Sequence, residues 1–184
     1  MIAAISYDGM IKAIAAFLDE ESGVSSDRIL NADSIRGADL AEMISSSQSY
    51  SPIAGSAFML FEVVENPEND FLTQGKSASK MDAIQTYDLH LKIYGNSSPS
   101  AAQKASLAFK KPENAMSLRD KGLFVNGVMP IEAQNEFINN TWVLRRDIIV
   151  RIQARSEYED ASQDPGFFDE TQAIDALVIN EANA

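Results

Sequence analysis

Residues 87–95 read Tyr87-Asp88-Leu89-His90-Leu91-Lys92-Ile93-Tyr94-Gly95. Tyr87, Leu89, Leu91 and Ile93 alternate with Asp88, His90, Lys92 and Tyr94. A period of two puts one set on each face of a strand, one buried and one wet. The alternation predicts a strand over Met81–Tyr94, closed by Gly95 and Asn96. A helix follows at once, with Ser98 as N-cap and Pro99 at its first position. Its alanines, Ala101, Ala102, Ala105 and Ala108, let it lie close against a sheet, with Leu107 and Phe109 beside them. Lys110 and Lys111 suit its C-terminal dipole, and Pro112 stops it. A shorter helical turn from Glu113 to Lys121 ends at Gly122.

Downstream, Leu123–Val125 and Val128–Ile131 read as short strands joined by an Asn126-Gly127 hairpin, with Pro130 confining the second to an edge. A last long strand spans Asn140 to Ala154. Trp142, Leu144, Ile148, Val150 and Ile152 share its buried parity; Thr141, Arg145, Asp147, Arg151 and Gln153 share the wet one. Arg146 interrupts the buried row and reads as a satisfied structural arginine. Ser156–Ala184 holds eight acids and no base, contains Asp164-Pro165-Gly166, and carries the apolar cluster Ile174, Leu177, Val178 and Ile179. It has too little apolar surface to fold alone; it reads as an arm that either solvates freely or adds an extended segment or a short helix to a neighbouring subunit.

Upstream, Glu65–Ser79 reads as a polar loop and Ala57–Glu65 as a strand of aromatic and β-branched residues. Ser22–Ser56 is a long polar excursion, with one short helix suggested by Leu40, Met43 and Ile44. Met10, Ile11, Ile14, Phe17 and Leu18 fall at helical spacing and predict a helix over Tyr7–Glu21, with Asp19, Glu20 and Glu21 at a solvated end. The order implies an α+β fold: a largely antiparallel sheet with two helices packed on one face, plus a long loop and a C-terminal arm. The expected division is a domain over residues 1–155 and the acidic arm over 156–184.

A chain of 184 residues, 45% hydrophobic, buries a core without a staple. With no cysteine, disulfides and thiolate chemistry are excluded, and so is cysteine-ligated zinc. The net charge is −12, from 27 acids and 15 bases. Such a surface repels phosphate, so tight binding to the outside of DNA is disfavoured; an acidic lumen would instead let DNA pass without sticking. Met1–Ser6 has no base ahead of its apolar run, and no stretch nears the length of a membrane span. The expectation is a soluble protein made in the cytoplasm.

The sequence sets little aside for catalysis. His90, the one histidine, sits on the wet parity of its strand, where a surface residue is the plain reading. No serine lies in a Gly-x-Ser-x-Gly elbow, and neither glycine-rich phosphate loop occurs. Glu62 and Glu65 are a carboxylate pair on paper, in a chain where acids abound. Lys110, Lys111, Arg119 and Lys121 form a small basic group that reads as solvated helix-end charge rather than a DNA contact. We expect no catalytic, cofactor-binding or metal-ligating residue, and no enzyme activity.

Three segments carry a resemblance. They are the Tyr87–Gly95 strand running into Ser98-Pro99-Ser100-Ala101, then Leu118 with Gly122-Leu123, and finally Trp142-Val143-Leu144-Arg145-Arg146-Asp147-Ile148-Ile149-Val150. Over residues 1 to 155 this order resembles bacteriophage neck and tail-terminator (tail-completion) proteins; the long Ser-rich excursion and the arm after Arg155 are departures from it or elaborations of it. The resemblance implies a structural virion protein without catalytic residues. It implies a homo-oligomeric ring, commonly sixfold, that caps the tail tube and joins it to the head connector. Its partners would be itself, the tube and the neck proteins, with DNA passing through the lumen. The alternatives are a transient assembly chaperone or adaptor, and a hydrolase using carboxylates with His90.

Overall fold

Two strands of unusual length organise the molecule. The computed structural model describes residues 4–32, 57–66, 71–77, 80–138 and 141–159. Strand β4 (Lys80–Tyr94) and strand β7 (Thr141–Glu159) pair antiparallel from Lys80↔Glu159 to Tyr94↔Arg145 without a break in register. Strands of 15 and 19 residues far exceed the usual length of about 5–6. Each long strand serves two partners on its outer edge. On β4 these are β2 (Phe58–Glu65) and β3 (Phe71–Ser77). On β7 they are β5 (Leu123–Val128) and β6 (Glu132–Ile138). The short β1 (Ile29–Asn31) adds to β2 in parallel, which makes seven described strands, all other pairings being antiparallel.

Three helices lie on one face. Helix α1 (Tyr7–Glu21) begins where the Ser6 hydroxyl accepts from the Gly9 N–H, 3.1 Å away. Helix α2 (Ser98–Lys110) turns back over the sheet after Gly95, whose φ of 102° is the left-handed conformation that favours glycine. Helix α3 (Pro112–Asp120) is the short helix read from Glu113–Lys121. The core under them is the parity read from the sequence: Leu89, Leu91 and Ile93 of β4 with Ile148, Val150 and Ile152 of β7. Ala101, Ala102, Ala105 and Ala108 bring α2 close to this layer, and Phe17 of α1 meets Phe109 of α2 at 4.7 Å. Each such aliphatic side chain contributes about 1.5–3 kcal/mol by leaving water.

The architecture is the expected α+β sheet with helices on one face. Several elements differ from the sequence reading. The polar loop expected over Glu65–Ser79 contains β3, paired with the start of β4. The Asn126-Gly127 hairpin does not form: β5 runs straight through it, with a register shift between Val125 and Gly127. Asn126 is an extra residue absorbed as a bulge, so both halves stay on β7. The Ser22–Ser56 excursion contributes a 3-10 turn (Ser26–Arg28) and β1 to the sheet edge, where Arg28 Nε donates to the Ala57 carbonyl at 2.9 Å. The last strand reaches Glu159, three residues beyond the start of the stretch set apart by its charge. The short helix suggested around Leu40, Met43 and Ile44, and the arm from residue 160 onward, lie outside the described residues.

Candidate assembly interface

Helix α2 leaves one end of the sheet uncovered. The Gly95 N–H donates to the Leu144 carbonyl at 3.0 Å, so the helix sets off from the level of Leu144 and runs back over the later residues of β7. A 13-residue helix spans about 20 Å, while 19 strand residues span roughly 60 Å. The first residues of β7 therefore extend past the helix layer, paired with β6 as a hairpin from Glu132↔Asp147 to Ile138↔Thr141. Sequence reasoning missed β6. The signal was Asn139-Asn140 between two pairable stretches, overshadowed by the stronger Asn126-Gly127 pair.

The hairpin has two unlike faces. On the helix side, Phe137 and Trp142 face each other across the strands with ring centroids 5.1 Å apart. They are 56% and 68% exposed, and Leu144 beside them is 37% exposed. Trp142 and Leu144 do share the parity of the core, as the sequence indicated, but they are not buried. Alternation fixes the face; only an overlying helix makes it a core, and none reaches here.

On the opposite face, the base of the hairpin is clamped. Arg145 Nε and Nη2 donate to the two Asp147 oxygens at 2.7 and 2.6 Å, and Nη1 donates to Glu136 Oε2 at 2.8 Å. Nη2 also donates to Gln134 Oε1 at 3.0 Å. The guanidinium lies 5.9 Å from the Tyr94 ring, which stacks on Phe58 at 4.7 Å and 3°. Asp147 and Glu136 raise the Arg145 pKa despite the opposing effect of burial. Burial, aided by the Glu136 charge, pushes the Tyr94 phenol above its ordinary range. A charge-assisted network of this kind holds the hairpin at a fixed angle to the sheet.

The candidates for chemistry are dispersed. His90 is half-buried on the open face of the sheet, across from Glu62 of β2 and Ile149 of β7. Glu62 and Glu65 are three apart on one strand and so point to opposite faces. Among the described residues, no three of His, Asp and Glu gather as a metal site would require. His90, Lys92, Glu132 and Asp147 line a pocket of about 200 Å³, below the roughly 300 Å³ at which small-molecule sites begin. The four bases Lys110, Lys111, Arg119 and Lys121 are exposed, and two of them are engaged. Lys111 Nζ bonds Glu21 Oε2 at 3.0 Å and lowers its pKa, and the Arg119 guanidinium lies 5.9 Å from the Phe124 ring centroid. Glu21 is therefore a tie between α1 and the α2–α3 junction rather than the free helix end expected.

None of the described helices is long and apolar enough to cross a membrane. What the structure displays is surface: a braced hairpin with an aromatic face, standing clear of a closed core. No curated protein matches the chain. A family model described as phage neck terminator protein matches residues 40–181, about three quarters of the chain. The match bears out the resemblance and shifts its limits. It starts after α1 and takes in most of the acidic stretch. The chain belongs to the phage neck terminator family, and is a structural component of the virion that meets other neck and tail proteins.

Proposed function

We propose that this protein is the ring subunit that caps the tail tube and joins it to the head connector, and that it does so without catalysing a reaction. The observation that carries this reading is the β6–β7 hairpin, with Phe137 and Trp142 exposed on a base fixed by Arg145. Exposed aromatic pairs on a rigid support are the usual anchors of protein contacts. Heterologous contacts, each hairpin meeting a different surface of the next copy, close into a ring when the rotation allows. Six copies is the number proposed. The charge of −12 suits the wall of a channel through which DNA slides without being held. Synthesis in the host cytoplasm, followed by incorporation into the virion, completes the reading.

The test is the mass of the purified protein by analytical ultracentrifugation, alone and with purified tail tubes, together with its position in particles by cryo-electron microscopy. The expected result is a species of six times the 20.1 kDa chain, seated at the head-proximal end of the tube. A protein that stays monomeric with tubes present would overturn the ring. Absence from finished particles would replace the subunit by a transient chaperone or adaptor.

A further inference from the structure

We propose that the helix-side face of the β6–β7 hairpin is the seat for the acidic, apolar segment 170–181 of a second copy of this chain. The inference rests on the self-assembly proposed above and names the contact that closes it. Phe137, Trp142, Leu144 and Arg146 share this face by register, and the first three are exposed. Arg146 is the half-buried cation at its inner end. Its Nη1 donates to the Arg145 carbonyl at 2.8 Å, and among the described residues no carboxylate lies against it. An apolar surface ending in a cation without a carboxylate partner calls for a segment that is apolar and acidic together.

The chain supplies such a segment. Residues 170–181 hold Ile174, Leu177, Val178 and Ile179 among Glu170, Asp175 and Glu181, with no base. Distance bears on which copy provides it. Glu159 ends β7 at the far end from Trp142, seventeen residues away, which is roughly 56 Å of strand. Ile174 is fifteen residues beyond Glu159, a reach of at most about 54 Å at full extension. Within one molecule, Ile174 stops just short of Trp142 even when fully stretched, and Leu177, eighteen residues beyond Glu159 and at most about 65 Å away, reaches it only with the arm nearly fully extended back along the sheet, at a cost in chain entropy. A neighbour in a ring can present its hairpin closer, and loop-closure entropy then favours the contact between copies.

Because the protein has no cysteine, one engineered pair reports the contact without background. Asn135→Cys lies on the exposed hairpin face opposite Leu144, and Ala176→Cys lies within the apolar segment. Sedimentation of the unmodified full-length protein comes first. Mild oxidation of the assembled double variant should then give a ladder of covalent multimers on a non-reducing gel. Adding Trp142→Ser or Arg146→Gln should slow the linking about tenfold, as loss of an anchor does. Only intramolecularly linked monomer would overturn the exchange between copies. No linkage in a protein that sediments as a ring would overturn the seat and leave the ring standing. A monomeric unmodified protein would overturn both.

Discussion

Strand β7 is two surfaces in one element. From Ile148 to Ala154 its inward residues are at most 2% exposed, under three helices and against β4. From Trp142 to Leu144 the same parity is open to solvent. Apart from Arg146 the row is apolar throughout, and the pairing of β7 with β4 and with β6 never slips. What differs is cover: helix α2 starts at the level of Leu144 and goes the other way. A single alternating pattern therefore builds a core and, where the helices end, an exposed apolar face. An apolar face left uncovered marks a place where other proteins dock, which is the role proposed for it above.

The sharpest way to break this contrast is to truncate one large apolar residue from each half. Leu91 is wholly buried beneath the helices, and Leu91→Ala should cost about 3 kcal/mol of stability through lost burial and a residual cavity. Trp142→Ala, a larger excision, should cost less than about 0.5 kcal/mol, because the ring is mostly in water already. Urea unfolding of the two variants checks both values. Equal losses would mean that the hairpin face is core after all. A second test concerns the brace. Arg145→Ala leaves Asp147 and Glu136 half-buried without their cation, and should cost about 2 kcal/mol. Hydrogen exchange should rise in β6 and in β7 before Ile148, with little change under the helices. A uniform rise would show that the hairpin and the sheet open together.

Much of this was legible in the residues. The strand to Tyr94, the helix α1 limits and the alanine face of α2 follow from period, caps and size, which are local properties. The family likeness was also visible in short segments, since those segments encode the local structure that the fold needs. The misreadings share one cause. Asn126-Gly127 is a strong turn pair, yet the long edge of β7 offered every backbone group on both sides of it a partner, and pairing won. β3 and β6 are polar and carry little alternation; they are strands because β4 and β7 are long enough to template them. The exposure of Trp142 and Leu144 depends on where a helix stops relative to a strand far along the chain. That is a tertiary distance, and a window of sequence does not contain it.

The smallest effect expected concerns the open face of the sheet, where the covered half of β7 carries its own ion pair. Arg151 Nε donates to Asp88 Oδ1 at 2.9 Å, and Asn66 Nδ2 donates to Asp88 Oδ2 at 2.9 Å. Arg151, and then Asn66, hold the Asp88 carboxyl below its ordinary value of 3.8, against a partial opposing effect of burial. A depressed carboxylate stabilises the fold above its unfolded pKa, and that stabilisation is lost as pH falls through the lower, folded value. Thermal unfolding followed downward from pH 5 should therefore show a loss that begins near pH 4 and continues below it. Asp88→Asn should remove part of that slope and leave the midpoint at pH 7 within about 1 kcal/mol of the parent, since solvent screens a pair with one partner more than a third exposed. The pair sits across β4 and β7, beneath neither the hairpin nor its brace, so the acid loss should leave hydrogen exchange in β6 unchanged. If β6 loosens in step with Asp88 protonation, the two halves of β7 are coupled through the open face, and the division drawn between core and interface has to be redrawn there.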